Sequence, residues 1–305
     1  PPAYCRGSRY RNIKVPHQRF LYTSLTDTLP AYIMPDLLLP HGQPFNLDRT
    51  LGCGQVFRWE KTGRWWSGIV GKNVIRIRQD GRALTWHGAD EDFIRDYFQV
   101  DLDLVPIIES VDRDPLIHAA LKRCEGLRVI RQPAWECLAS YICATYANIP
   151  GIKKKISLLS DSFGERICHE GEGHSAFPSA EKLAEAALCD VRACRLGYRA
   201  PFICETARTI AADPGWESGI AHLPYTDARK ELLRLKGVGK KVADCVLLFA
   251  FGKFEAFPVD VWIMRIMRQE YPERNLPKNY DVIARNGREL FGPYAGYAQE
   301  YLFCD

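Results

Sequence analysis

The stretch Leu235-Lys-Gly-Val-Gly-Lys-Lys-Val-Ala-Asp-Cys245, followed by Pro258-Val-Asp-Val261, decides how this chain is read. Gly237 and Gly239 stand between two segments of helical pattern and predict a tight hairpin whose backbone N–H groups can be turned against a phosphate. Lys241 opens the second helix. Asp260 lies nineteen positions later at the start of another, so one helix and one return loop can bring an amine and a carboxylate together. That pair suits imine chemistry at a sugar carbon.

An amine attacks carbon only when uncharged, and a lysine with the ordinary pKa near 10.4 is neutral in about one molecule in a few thousand at pH 7. The helix N-terminus and the neighbouring Lys240 push in the needed direction. A helix dipole contributes at most about 2 kcal/mol, however, so desolvation has to dominate. An ionised Asp260 works against neutrality, which gives it a different part: accepting a proton, or balancing positive charge on the sugar as a bond breaks. Taken singly, Lys241 reads as a solvated charge in a first helical turn and Asp260 as an N-cap. Their combination with the hairpin favours chemistry.

With 305 residues and 47% hydrophobic content, the chain can bury one large core or two smaller ones, as an α+β fold of two or three subdomains. No run approaches the roughly 18 apolar residues of a membrane helix, and no apolar signal core opens the chain. An intracellular protein is expected, in the cytoplasm or nucleoid of a prokaryote or the nucleus of a eukaryote. Forty-one basic residues against 37 acidic ones permit nucleic-acid binding without demanding it. The eleven cysteines are odd in number and include no C-x-x-C pair, which predicts reduced, mostly buried thiols. After Asp260 the only cysteine is Cys304, so a four-cysteine iron–sulfur loop cannot be built there. Nothing calls for a metal or a cofactor.

Residues 1–25 carry five Arg or Lys and no acid, so residues 1–40 read as a basic, flexible lead, with Met34 as a candidate physiological start. Residues 41–130 read as an antiparallel β domain with flanking helices. Its strands are expected at Gln55–Trp59, Trp65–Val70, Val74–Arg78 and Ala83–Trp86, punctuated by turns at Thr62-Gly63, Gly71-Lys-Asn73 and Asp80-Gly81. Residues 131–305 read as an all-α domain of short helices. Asp114-Pro115 and Pro133 open helices, and Ser179, Asp190, Thr226 and Asp260 are plausible caps.

The hairpin, the lysine and the Pro-Val-Asp triplet resemble the helix-hairpin-helix DNA glycosylase superfamily, specifically its 8-oxoguanine DNA glycosylase/lyase branch. The resemblance runs from about residue 43 to 305 and includes Gly54-Gln-Val-Phe-Arg-Trp59, Glu136-Cys-Leu, Leu196-Gly-Tyr-Arg-Ala200 and Gly292-Pro-Tyr-Ala-Gly-Tyr-Ala-Gln299 with Leu302-Phe303. It implies a TATA-binding-protein-like antiparallel sheet domain ahead of two helical subdomains, and a monomer acting on double-stranded DNA that contains oxidised guanine. The damaged nucleotide would be rotated out of the duplex, since its glycosidic bond cannot be reached inside the stack. Lys241 would attack C1′, expel the base and form a Schiff base that permits β-elimination, with Asp260 supporting the cationic transition state.

By the same resemblance, the Gly54 carbonyl would accept the extra hydrogen on N7 of the lesion. Gln299 would read the Watson–Crick edge, and Phe303 and Cys245 would sandwich the base. Gly237, Val238, Gly239 and Lys240 would hold a phosphate, and Tyr198 and Arg199 would fill the duplex gap and contact the opposite base. Trp262 stands where a histidine that contacts phosphate is common. Tyr146 and Gly151 replace an asparagine and an arginine that contact the opposite strand, so no preference for cytosine is carried over. Two other readings remain: a monofunctional glycosylase for alkylated or other damaged purines, and a DNA-binding module without catalysis. Lys241 argues against the first, and the presence of both Lys241 and Asp260 against the second.

Overall fold

A computed structural model describes residues 35–304. The basic lead, with its Met34 start, therefore lies outside the described residues except for its last few positions. Those positions are not a lead. Asp36–Leu38 form β1, the edge of an antiparallel sheet completed by β2 (Trp59–Thr62), β3 (Trp65–Val70), β4 (Asn73–Asp80) and β5 (Ala83–His87). The spatial order is β1-β5-β4-β3-β2, so β2 to β5 form a meander and β1 returns to pair with its last strand. Gly63, Gly71 and Gly81, at the three tight turns, have φ of 59°, 57° and 60°. Turns of this kind require positive φ to match the strand twist, which is why glycine recurs there.

Gln55–Arg58 are not part of a strand; β2 starts at Trp59. The reason is the Gln55 side chain, which is 1% exposed and replaces ladder bonds with its own. Its Nε2 donates to the carbonyls of Thr50 and Arg128, and its Oε1 accepts from the Ile130 N–H. Gln132 Nε2 and the Tyr141 hydroxyl both donate to the Gln55 carbonyl. A buried amide satisfied on every side pins this loop and the Gly54 before it.

Two hydrophobic cores lie within one compact unit spanning Met34–Asp305. The sheet core gathers Trp59, Ile75, Ile77, Trp86, Ile94, Tyr97 and Ile130. The helical core takes in Phe57 and then Leu104 and Ile107, so the helices Leu104–Val111 and Pro115–Arg123 belong to it although they fall within the stretch assigned to the sheet domain. Asp114 caps Pro115–Arg123, Ser179 caps Ala180–Glu185, and Asp260 caps Val261–Gln269. Asp190 and Thr226 are not caps. Asp190 lies inside the short turn Leu188–Val191, and Thr226 is the second residue of Tyr225–Leu233, which starts after Pro224. The helical region also contains a hairpin, β6 (Arg166–His169) and β7 (Glu172–Ser175).

The expectation of reduced thiols is corrected at one pair. Cys124 and Cys304, 180 residues apart, are joined as a disulfide. Packing of the C-terminal helix Ala295–Phe303 against Pro115–Arg123 brings them together, which no local spacing reveals. Cys53, Cys137, Cys143, Cys168, Cys189, Cys194, Cys204 and Cys245 are free. Among the described residues no helix is long and apolar enough to cross a membrane.

Candidate active site

The helix carrying Lys241 runs Lys240–Phe249 and starts after Gly239, which has no side chain with which to cap it. The N–H groups of the first turn are therefore left for an external anion, where Ser or Asp would have occupied them. Only Gly237 needs glycine for its backbone: its φ is +78°, and a Cβ there would come within 2.5 Å of Phe202. Gly239 has φ −91° and faces open space, so its contribution is room for an approaching group. Val238 is buried, and its N–H already bonds the Leu235 carbonyl, so that N–H is not free.

Lys241 Nζ lies 3.9 Å from Asp260 Oδ2. The Asp260 carboxylate divides its work: Oδ1 accepts from the N–H groups of Trp262 at 2.9 Å and Ile263 at 2.8 Å, and Oδ2 is left facing the amine. The cap reading and the catalytic reading thus describe one side chain. Capping fixes its direction, because rotating Oδ2 away would break two hydrogen bonds. Lys241 is 48% exposed and Asp260 only 17%. The burial that sequence reading required of the amine is not supplied by the protein alone.

A buried network sets the distance between these two residues. Asp244, one turn beyond Lys241 and 0% exposed, accepts from the hydroxyls of Tyr225 at 2.7 Å and Tyr280 at 2.6 Å and from Arg229 Nε at 2.8 Å. The Tyr280 hydroxyl in turn accepts from the Val259 N–H at 3.3 Å, one residue before Asp260. The Lys241 helix and the Asp260 loop are therefore tied to the same phenol. Arg229 also pairs with Asp281, whose carboxylate takes the Lys240 ammonium. Sequence reading missed this set; the signal was an acid, Asp244, within an otherwise apolar stretch of helix.

Gly54 has φ +99°, and a Cβ on it would sit 3.4 Å from Ile149 Cδ1 and 3.7 Å from Phe303 Cε1. Phe303 ends the helix Ala295–Phe303, on which Gln299 is 4% exposed with a buried Oε1 that has no hydrogen-bond partner. An orphan acceptor of this kind is costly unless a ligand or solvent completes it. Next to it, the Glu300 carboxyl lies against Cys53 and Gln299, and burial pushes it up from 4.5 to about 7, with Asp260 adding to the rise and Lys241 opposing it. Burial likewise raises the Cys245 thiol, against the pull of Lys241, and keeps it neutral. Cys53, Ile149 and Glu300 were not anticipated. Gly54, Phe303, Gln299, Cys245, Lys241 and Asp260 thus form one neighbourhood.

Two anticipated DNA contacts are placed otherwise. Arg199 is buried, and its guanidinium donates to the Thr145 and Tyr146 carbonyls, so it holds a loop in place of facing solvent. Lys240 is committed to Asp281. Within the Lys153–Lys155 run, Lys153 bonds the Trp59 carbonyl and Lys155 the Gly151 carbonyl. The exposed surface near the site is aromatic. Tyr198 is 51% exposed with Arg199 stacked on it, Trp262 is 58% exposed beside Arg265, and Tyr146 is 95% exposed at φ +49°.

The fold and this neighbourhood define a class: an α+β protein in which a helix-hairpin-helix element sets a lysine against a capping aspartate. The family profile described as the N-terminal domain of 8-oxoguanine DNA glycosylase matches residues 37–138. An N-glycosylase/DNA lyase of Arabidopsis thaliana is 30% identical over 288 residues, 88% of this chain and 78% of its own. The apo structure of Clostridium acetobutylicum 8-oxoguanine glycosylase/lyase superposes with a TM-score of 0.80 at 33% identity, covering 85% of this chain and 92% of that one. The same enzyme bound to double-stranded DNA with cytosine opposite 8-oxoG gives 0.80 at 32% identity, over 85% and 91% of the two chains. The chain belongs to the 8-oxoguanine DNA glycosylase family.

Proposed function

We propose that this protein is a bifunctional DNA repair enzyme that excises 8-oxoguanine from duplex DNA and then cleaves the strand at the abasic site. The observation that carries the reading is the 3.9 Å approach of Lys241 Nζ to a carboxylate oxygen that capping holds in place. A monofunctional enzyme, which activates water through a carboxylate, has no need of that amine.

The extrahelical nucleotide enters beside Gly54 and Phe303 and covers the half-exposed amine, excluding water from it. Loss of water favours the neutral amine, so the duplex completes what the free protein leaves undone. Lys241 Nζ bonds to C1′ as the C1′–N9 bond breaks, and the electron pair leaves with the base. Asp260 Oδ2 balances the positive charge that develops on the sugar. Loss of a proton from nitrogen frees its lone pair to form the C1′=N iminium as the C1′–O4′ bond breaks and O4′ takes up a proton, after which removal of a C2′ proton expels the 3′ phosphate. The Gly54 carbonyl accepts from the lesion's N7–H, and the Gln299 amide, with its free Oε1, meets the base edge. Phe303 and Cys245 close on its two faces. The uncapped N–H groups that follow Gly239 lie against a phosphate, and Trp262 and Tyr198 lie along the duplex.

The test is borohydride trapping on a duplex carrying one 8-oxoguanine, with native protein and Lys241→Gln. A covalent adduct with the native protein alone is expected. Base release without an adduct would replace this reading with a monofunctional one, and no release with a binding module. Each of the four bases opposite the lesion would show how far Tyr146 and Gly151 alter the reading of the facing strand.

A further inference from the structure

We propose that His87, His169 and Glu170 form a binding site for a divalent transition-metal ion of the zinc class, which joins the β6–β7 hairpin to the end of the sheet. His87 closes β5, His169 closes β6, and Glu170 begins the two-residue turn into β7. One ring nitrogen from each histidine and one Glu170 carboxylate oxygen all lie within 4.8 Å of one another. His87 Nδ1 stands 3.8 Å from Glu170 Oε1. Tetrahedral zinc with nitrogen and oxygen ligands sets them about 3.3 Å apart, so shifts of roughly an ångström close the site and leave a fourth position for water.

Two observations converge on a cation. Nε2 of both histidines is buried without a hydrogen-bond partner, although the rings stack at 5.7 Å between centroids and 9° between planes. Buried polar atoms are nearly always satisfied, and an ion held through Nε2 of the two rings would complete both orphans. Glu170 has φ +51°, in a turn position that favours Asn or Gly, so a backbone cost is tolerated where a carboxylate reaches His87.

The opposing charge is Arg76, the cross-strand partner of His87; its guanidinium stacks on Trp65 at 5.1 Å, and Glu170 supplies the compensating anion. The hairpin already touches the sheet region through Arg58 Nη2 to the Ser175 carbonyl and through the Lys72–Glu165 pair. An ion at its turn adds a third tie. None of the three ligands belongs to the neighbourhood of Lys241 and Asp260, so the site serves architecture and stands whether or not the catalytic reading does.

Equilibrium dialysis of the full chain against zinc chloride, and titration with cobalt(II), test this. Cys168 is exposed next to His169, so Cys168→Ser is included as a control. One ion per chain is expected in native protein and in Cys168→Ser, with cobalt d–d bands and no thiolate charge-transfer band. His87→Asn and Glu170→Gln are expected to bind at least tenfold more weakly; Glu170 is 51% exposed and is replaced without disturbing the core. Absence of stoichiometric binding, undiminished binding in both ligand variants, or a thiolate band lost in Cys168→Ser would overturn the proposal.

Discussion

Glu300→Gln should make the protein more stable in a way that depends on pH. The Glu300 side chain is 4% exposed, on the C-terminal helix and within reach of the Lys241 charge. Burial, reinforced by the Asp260 charge, lifts its carboxyl from 4.5 to about 7 against the pull of Cys53, Gln299 and Lys241. A raised carboxyl pKa means that the folded protein binds more protons than the unfolded chain between those two values. Its contribution to stability is therefore fully present below about pH 4.5, declines as pH rises, and is lost above about 7. The rise amounts to roughly 3 kcal/mol across that window. Glutamine keeps the shape and cannot ionise. Urea unfolding of both proteins at pH 5, 6.5 and 8 should show the variant gaining on the native protein as pH increases, by about 2–3 kcal/mol between the ends. Glu136, also buried and raised to about 7 beside Arg58, is present in both proteins and cancels in the difference. A stability difference that is the same at pH 5 and pH 8 would refute the account of Glu300 as a carboxyl held neutral by its surroundings.

Tyr280→Phe removes the hydroxyl that bonds both Asp244 and the Val259 N–H, so stability should fall by about 1–3 kcal/mol. Single-turnover adduct formation should slow while DNA affinity stays the same; an unchanged rate would detach this network from catalysis. Gly54→Ala is strained at a φ of +99°, and its Cβ fills the space beside Ile149 and Phe303. It should lose excision of 8-oxoguanine yet retain cleavage at a preformed abasic site, and equal loss of both would argue for general misfolding. Tyr146→Ala should weaken binding to lesion-bearing duplex by about 1–3 kcal/mol, the worth of one base stacked on an aromatic ring. Electrophoretic mobility shift reads this directly, and unchanged affinity would place Tyr146 off the DNA.

The sheet was legible because glycines mark its hairpin turns and apolar residues alternate between them. The helices with strong caps, Asp114, Ser179 and Asp260, were legible for a similar reason: the cap bonds only its own first turn. Asp190 and Thr226 misled, since a capping residue type says nothing about whether a helix has already begun. Gln55–Arg58 look like a strand by composition and are not one, because the buried Gln55 amide finds its partners at Thr50, Arg128 and Ile130. β1 was hidden for the opposite reason: three residues at a sheet edge carry too short a pattern to read.

What the sequence determined by itself is the local chemistry: a hairpin turned by Gly237, an amine in the first turn after it, and a carboxylate that must cap the next helix. These follow from interactions within a few residues. Only the tertiary structure decided that Arg199 and Lys240 are spent on internal partners and that Tyr280 locks Asp260 to the Lys241 helix. It alone brought Gly54 against Phe303, some 250 positions away, and joined Cys124 to Cys304. Each of these depends on how distant segments pack, and a side chain's partner across a core is set by the shape of the whole fold, which no short stretch of residues encodes.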